Sequence, residues 1–507
     1  MDQDISKEKF RPAKRPYRDG EGEFTSRSRT YLADALIRFR NNRSSVAAAY
    51  IILFLVLYAV IAPMISPYQI EDKDTVYVNY PPYVKAVAEL GLGLLDGGTV
   101  YESRSEAQLD YLRAIGEETG MDPVIRIIEE QVSYTKFRGE EIKTVTYKLE
   151  TNKYFETGIV YRVMSETEFE QIQDYQNRTG IQVIYPYVKK EDIGGISNAP
   201  NIWYKVSDSK GTPILDENGS RIPAYSTDKS SEGAPYRSLR IEGDDGGFIY
   251  SIKKSGVLEC RVCYYNYYIF KNGFEPMYIL GTNSLGQDLF SAIGLGARFS
   301  LVFALSVSLI NLIIGAVYGA VQGYYGGTVD LVLDRIADII SGMPFIVVAT
   351  LFSLHLAAKV GTAVSFLFAF VMTGWIGMAA LTRKQFYRFK GREFVLAART
   401  LGASDRRLMI KHILPNSVGT IITGCALVIP GVISSETALA YLGIVNLTEF
   451  AGTSLGTLMS QGQTSMTTSP HAMLFPALYF SLLLISFNLF GNGLRDAFNP
   501  LARGAAE

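Results

Sequence analysis

Only three cysteines, three histidines and two tryptophans occur in 507 residues, and no GxxxxGK[ST] stretch is present. The missing glycine-lysine loop excludes a P-loop nucleotide site, whose backbone amides and lysine cradle phosphates. His355, His412 and His471 are too scattered to form a metal or general-base cluster. Cys425 lies in an apolar run, and Cys260 and Cys263 lie in VLECRVCYYNYYIF, which reads as a strand that sends their side chains to opposite faces. A disulfide between them would need a bend, and an isolated CxxC lacks further ligands, so all three thiols read as structural. No set of nucleophile, base and orienting group is evident, so an enzyme embedded in the membrane has no catalytic set to work with.

Charge is also missing, locally. Six runs, 46–66, 299–323, 339–358, 360–382, 413–435 and 472–494, contain no Asp, Glu, Lys or Arg. Each reaches the roughly 20 residues that cross a bilayer. The expectation is a polytopic α-helical membrane protein with six transmembrane helices. The net charge of -1 averages unlike parts. Residues 383–411 hold nine Lys and Arg against Glu393 and Asp405, and Lys7 to Arg18, then Arg38, Arg40 and Arg43, precede the first run. The positive-inside rule places both basic stretches, and both termini, in the cytoplasm. Residues 67–277 hold 33 acids and 24 bases, which suits a segment on the outer side.

The chain divides into a flexible tail with an interfacial helix around 27–43 (1–45), a first span kept as an anchor (46–66), an extracytoplasmic α+β domain (67–277), a core with the remaining spans (278–494) and a cytoplasmic tail (495–507). In the α+β segment, Ser103 with Glu106 and Ser165 with Glu168 have capping-box spacing. Strand-like runs are VIRII, TVTYKLE, GIVYRVM, IQVIYPYV, NIWYKV, FIYSIK and the tyrosine-rich VLECRVCYYNYYIF. Asp216-Glu217-Asn218-Gly219 and Gly243-Asp244-Asp245-Gly246 read as turns, since neither has the spacing of a calcium loop. Tyr278 to Ser300 reads as an outer-surface segment leading Arg298 to the membrane boundary.

In the core, Gly315, Gly319 and Gly323 recur every four residues, a face that admits a close helix neighbour. Asp330, Asp334 and Asp338 share the same spacing beside Arg335 and read as a solvated helix face rather than a metal or proton row. Glu436, about 30 Å along a helix from Asn416, lies toward the outer mouth and is a candidate for the pathway or for an interfacial carboxylate. The stretch 391–416, GREFVLAARTLGASDRRLMIKHILPN, reads as two short helices broken at Gly402, with Ser404 or Asp405 capping the second and Pro415 stopping or kinking it. Patterning alone leaves it open between a membrane-surface linker and a partner-binding element.

LGTNSLGQDLFSAIGLGARFSL, GYYGGTVD, the 391–416 stretch, SSETALAYLGI and FNLFGNGLRDAFNP, in this order, resemble the C-type permease of ATP-binding-cassette importers for dipeptides and oligopeptides. The resemblance covers the first span and nearly everything after Tyr278, and the outer insert is similar to enlarged permeases of Gram-positive bacteria. It implies a type I importer permease fold with cytoplasmic loop 383–416 as the coupling element for a partner ATPase. The family's Glu-Ala-Ala signature falls on Leu396, Ala397 and Ala398, so its acid is missing. The nearest acid is Glu393, and no role of the signature carboxylate passes to Leu396. Coupling to the ATPase then falls to Glu393, Ala397, Ala398, Arg399, Gly402, Ala403, Ser404, Asp405, Arg406 and Arg407.

The resemblance further implies a homologous second permease, one or two ATPase subunits that bind the ATP, an extracytoplasmic substrate-binding lipoprotein and a peptide substrate. No catalytic residue, metal, cofactor of its own or nucleic acid is expected. Related members carry nickel or other small solutes. A membrane sensor with an outer ligand-binding domain is the rival reading, but it leaves the five ordered motifs unexplained.

Overall fold

The computed structural model describes residues 31–137, 140–194, 199–226, 248–447 and 452–498. The tails 1–30 and 499–507 and the turn expected at Gly243 to Gly246 lie outside them. Helix α1 (Tyr31–Asn41) leads into α2 (Arg43–Ile65), which starts where the Asn42 side chain accepts the Ser45 amide.

The chain then builds an α+β body. Strand β1 (Tyr83–Val84) and a short α3 (Lys85–Ala88) open it, and β2 (Gly98–Ser105) leads into α4 (Glu106–Thr119). The cap of α4 is Ser105 with Gln108, not Ser103 with Glu106. Both pairs have capping spacing, but Ser103 is held in β2, whose pairing with β4 continues to Ser105 opposite Thr146. Strands β3 (Val124–Phe137) and β4 (Glu140–Asn152) form a long antiparallel hairpin, giving the sheet order β2-β4-β3. They run well beyond the expected VIRII and TVTYKLE.

After α5 (Lys153–Glu156) come β5 (Ile159–Met164), α6 (Glu166–Thr179), capped by Ser165 as expected, β6 (Ile184–Tyr185), β7 (Ser251–Lys254) and β8 (Val257–Cys263). Strand β8 pairs with β5 on one side and with β6 and β7 on the other. Ser255 and Gly256, at φ 49° and 85°, turn β7 into β8, as a two-residue hairpin with both centres left-handed requires. Of IQVIYPYV only Ile184–Tyr185 is strand, and NIWYKV makes isolated bridges at Tyr204 and Val206. The Asp216 to Gly219 turn is present, closed by Gly219 N to Asp216 O at 3.0 Å.

VLECRVCYYNYYIF is strand only to Cys263, and from Tyr264 it is helix α7 (Tyr264–Asn272), ended by left-handed Gly273. Tyr264, Tyr265, Tyr267 and Tyr268 have spacing that suits a helix face as well as a strand, and all four are buried. They join Tyr68, Tyr77, Tyr80, Tyr83, Tyr154 and Tyr278 in one core. Several of the hydroxyls find partners at short range, among them Tyr264, which donates to Asp74 at 2.7 Å, Tyr268 to Tyr68 at 2.9 Å and Tyr154 to the Pro81 carbonyl at 2.9 Å, whereas the Tyr77 hydroxyl has none among the described residues. Elsewhere in the body, buried Arg261 meets buried Glu118 at 3.1 Å. Cys260 and Cys263 are both buried.

Strand β9 (Met277–Tyr278) returns antiparallel to β1, with Val84 opposite Met277. The chain thus enters and leaves the body at adjacent positions. Asp288 then caps α8 (Leu289–Tyr325) through the Phe290 and Ser291 amides while accepting the Ser66 hydroxyl at 2.7 Å. This fastens the end of α2 to the start of α8, and Tyr58 OH reinforces it by donating to Phe290 O at 2.9 Å. Tyr278 to Asp288 is folded around buried Thr282, Asn283 and Gln287, the helix begins at Leu289, and Arg298 is exposed upon it.

The third apolar run is not one straight helix. α9 (Gly327–Ser341) and α10 (Phe345–His355) meet at 71°, because Pro344 cannot continue the hydrogen-bond ladder and disfavours helical geometry in the residue before it. After α11 (Ala357–Val360), α12 (Thr362–Lys390) packs along α8. A methyl group on Gly315, Gly319 or Gly323 would lie 2.6, 2.2 or 2.6 Å from the carbonyl oxygens of Trp375, Ala379 and Arg383. The glycine face therefore sets that helix contact.

Next come α13 (Glu393–Thr400), α14 (Asp405–Arg407), a π-helical turn (Leu408–Ile413), α15 (Leu414–Tyr441), α16 (Leu455–Thr464) and α17 (His471–Phe498). Pro415 neither stops nor kinks the helix: 405–441 is continuous, and Leu414 N reaches back five residues to Met409 O. The wider turn makes room for a proline that has no N–H and would crowd the carbonyl four residues back. Among the described residues, five helices are long and apolar enough to cross a membrane, or six if α9 and α10 form one broken span.

Candidate functional site

The site is built on Gly391 to Asn416. Helix α12 is capped by Gly391, Arg392 turns the chain, and α13 runs to Thr400, two residues before Gly402. Gly402, at φ 84°, terminates it, with Gly402 N on Arg399 O at 3.0 Å and Ala403 N on Ala398 O at 3.1 Å. Ser404 occupies the next cap by backbone position, but its side chain makes no capping bond. Asp405 does not cap either: its carboxylate accepts the hydroxyl of Tyr324.

Tyr324, near the end of α8, is the residue that sequence reasoning missed. Its hydroxyl also accepts from Arg399 Nη2 at 3.1 Å, so one side chain ties the helices on both sides of Gly402. Beneath it, Val395, Leu408 and Ile413 are buried with Phe386 of α12, and Ala398, Ala403 and Met409 pack on this cluster. The loop is therefore clamped to α8 and α12.

The loop surface left over separates the expected coupling residues. Ala398 and Ala403 turn partly inward, whereas Glu393, Ala397, Ser404, Arg406 and Arg407 are exposed. Arg399 is exposed but bonded to Tyr324. Leu401 is 88% exposed, and Phe394, Leu396 and Ile410 also face outward. The free surface is apolar with a basic edge, one acid and the small Ala397 and Ser404, and such a surface can seat in a complementary groove. The apolar residue at the signature position, Leu396, belongs to it.

The aspartate row is not a solvated face throughout. Arg383 of α12 grips Asp330 at 2.6 Å and Asp334 at 2.7 Å, Tyr387 donates to Asp330 at 3.0 Å, and Asp330 is buried. Only Asp338, paired with Arg335 at 3.1 Å, fits the expectation. The partner of Asp330 lies 53 positions away, beyond any helical spacing. Glu436 is fully enclosed, and its carboxylate accepts from Ser300 at 2.7 Å and from Thr437 at 3.3 Å, bracing α15 against α8.

The family described as binding-protein-dependent transport system inner membrane component matches residues 311–504, and the N-terminal TM domain of oligopeptide transport permease C matches residues 30–82. The oligopeptide transport system permease protein OppC of Bacillus subtilis is 37% identical over 223 residues, 44% of this chain and 72% of that protein. The dipeptide transport system permease protein DppC of Lactococcus lactis is 40% identical over 229 residues, 45% of this chain and 65% of that protein. Among solved structures, an inward-facing MetNI methionine ABC transporter chain aligns with a TM-score of 0.33 at 15% identity, over 41% of this chain and 96% of that one. The sequence relatives carry the assignment, and with the apolar helices they establish a multi-pass membrane permease of the type I importer fold. The chain belongs to the inner-membrane permease components of binding-protein-dependent transport systems, in the group of the oligopeptide and dipeptide permeases.

Proposed function

We propose that this chain forms one half of a peptide translocation pathway in the bacterial cytoplasmic membrane and that Gly391 to Asn416 couples it to ATPase subunits. A homologous second permease supplies the other half, and one or two ATPases bind and hydrolyse the ATP. A substrate-binding lipoprotein delivers dipeptides or oligopeptides from outside. The observation that carries this reading is the Tyr324 clamp, because a partner that moves the loop pulls at once on α8 and on the helix running from 405 to 441.

The helix directions together with charge support this orientation. Helix α8 runs from Asp288, beside Ser66, to Tyr324 on the loop, and α2 runs from Arg43 to Ile65 beside Ser66. Arg43 and the basic loop therefore share one side, which the positive-inside rule makes cytoplasmic. The Phe39 and Phe490 rings, 5.3 Å apart, bring the N-terminal helix and the end of α17 to that same side. The α+β body then lies outside, where it can receive the binding protein.

The test is reconstitution of the chain with the second permease, the ATPases and the binding protein in proteoliposomes. ATP-dependent peptide uptake that disappears when Leu401 and Arg406 are both changed to Asp, with the assembly still in the membrane, supports the reading. Uptake and ATPase attachment unchanged in that variant defeat the coupling assignment. For the α+β body, residues 85–276 can be replaced by a short Asn-Gly turn, because Val84 and Met277 already sit opposite each other. Wild-type uptake by that variant would remove the body from the transport cycle.

A further inference from the structure

A widely open cleft of about 370 Å³ lies on the helical core between α8, α10, α12 and α15. Asn311, Phe345, Phe370, Thr373, Gly431 and Ser435 are among its lining residues, and none of the lining residues is charged. Its volume is at the lower end for sites that hold small molecules. Asn311 is 2% exposed, yet its Oδ1 has no hydrogen-bond partner. An unsatisfied buried amide costs on the order of 1–3 kcal/mol, so such a group in a membrane helix needs a reason to be there.

The neighbours of Asn311 are shaped around it. A methyl group on Gly374 would lie 2.3 Å from Asn311 Nδ2, so glycine there lets the carboxamide sit against α12. Gly431 across the cleft has no atom within 4 Å of the place a methyl would take, so it faces open space. Phe345 and Phe370, with ring centroids 4.7 Å apart, form an aromatic wall. The Oδ1 atom is itself shielded in this conformation, and the terminal torsion of asparagine is broad enough for a rotation to present it to the cleft.

We infer that this cleft is a transit subsite for a neutral stretch of peptide, with Asn311 meeting a backbone amide and Phe345 and Phe370 taking an apolar or aromatic side chain. The inference rests on the peptide-permease reading and gives that pathway its contact residues. A peptide brings both the N–H that Asn311 lacks and a side chain for the rings. A lipid chain brings no donor. Because every lining residue is uncharged, the segment held there is uncharged too.

The test uses the whole transporter in proteoliposomes with Cys425 replaced by Ser, so that a thiol placed in the cleft reports alone beside the buried Cys260 and Cys263. Thr373→Cys should react with a small maleimide, and a saturating neutral peptide delivered by the binding protein during turnover should slow that reaction about tenfold. A peptide with a charged central residue should protect about tenfold less. Gly431→Phe, which fills the cleft, should lower peptide imported per ATP hydrolysed about tenfold, with Gly431→Ala close to wild type. Absence of protection at a peptide level that saturates uptake overturns the inference, as does a thiol blocked before peptide is added, which places a lipid or the second permease in the cleft. Release of the second permease by Gly431→Phe also overturns it. No peptide uptake by the wild-type assembly instead defeats the permease reading itself.

Discussion

Gly402 gives the sharpest test of how the loop keeps its shape. Its φ of 84° is left-handed, and nothing lies within 4 Å of the position a Cβ would take. A side chain there meets no clash, so the whole penalty comes from backbone conformation, about 1–2 kcal/mol for an ordinary L-residue. Asparagine tolerates this region and valine is among the worst residues for it. If the docked loop needs this turn, Gly402→Ala should weaken binding of the ATPase subunit about 5- to 30-fold, the factor that 1–2 kcal/mol represents. Gly402→Asn should lose much less, and Gly402→Val more. Gly391 is the internal control, since its surroundings are equally open but its φ is -94°, so Gly391→Ala should leave affinity unchanged. The assay is titration of purified ATPase onto the permease in nanodiscs, with nucleotide fixed. Equal affinities for the Asn and Val variants at 402, or a loss at 391 matching that at 402, would refute the reasoning.

Three further outcomes follow from the packing. Arg383→Met strands the buried Asp330 carboxylate and should lower the melting temperature in detergent, and adding Asp330→Asn should recover part of the loss, since the pair and not the arginine alone is at stake. Arg261→Met removes the buried guanidinium that meets Glu118 and should destabilise the α+β body by about 3–5 kcal/mol, read from the tyrosine near-ultraviolet circular dichroism. The pH profile of that signal has a defined sign. Burial works against the Glu259 carboxylate, but hydrogen bonds from Lys254 and Tyr187 outweigh it and hold its pKa below the ordinary 4.5, and Lys253 does the same for Glu166. Their contribution is therefore complete above about pH 4.5 and is lost as pH falls through the lower folded-state values. A body that grows more stable on acidification below pH 4.5 would contradict both pairings.

Local chemistry made much of this architecture legible. The Gly402 turn, the Ser165 cap and the glycine face on α8 each follow from one residue's conformational or steric property. The elements that escaped depend on partners distant in sequence. Ser103 and Ser105 both head a capping pattern, and only strand pairing to Thr146 selects between them. The tyrosine run after Cys263 suits strand or helix, and the shared tyrosine core decides for helix. Arg383 with Asp330, and Tyr324 with Asp405, join residues more than 50 apart. No periodicity reports such contacts. The five ordered motifs gave the family, but the cleft at Asn311 needed three dimensions, because its lining comes from four helices.

The widened turn at Leu408 to Ile413 has a consequence for the helix that follows it. A π turn holds one residue more than the α-helical ladder would, so side chains beyond it are rotated by about 100° from where an unbroken helix would put them. Faces traced through 405–441 at constant periodicity therefore drift out of phase at that point. Deleting one residue between Leu408 and Ile413 would restore a plain α-helix at the expense of a collision between Pro415 and the carbonyl four residues before it. It would also swing Gly431 and Ser435 away from the cleft while leaving the loop on its clamp. The extra residue thus sets the relative phase of the docking loop and the membrane-embedded wall, much as a spacer sets the angle between two gears on one shaft.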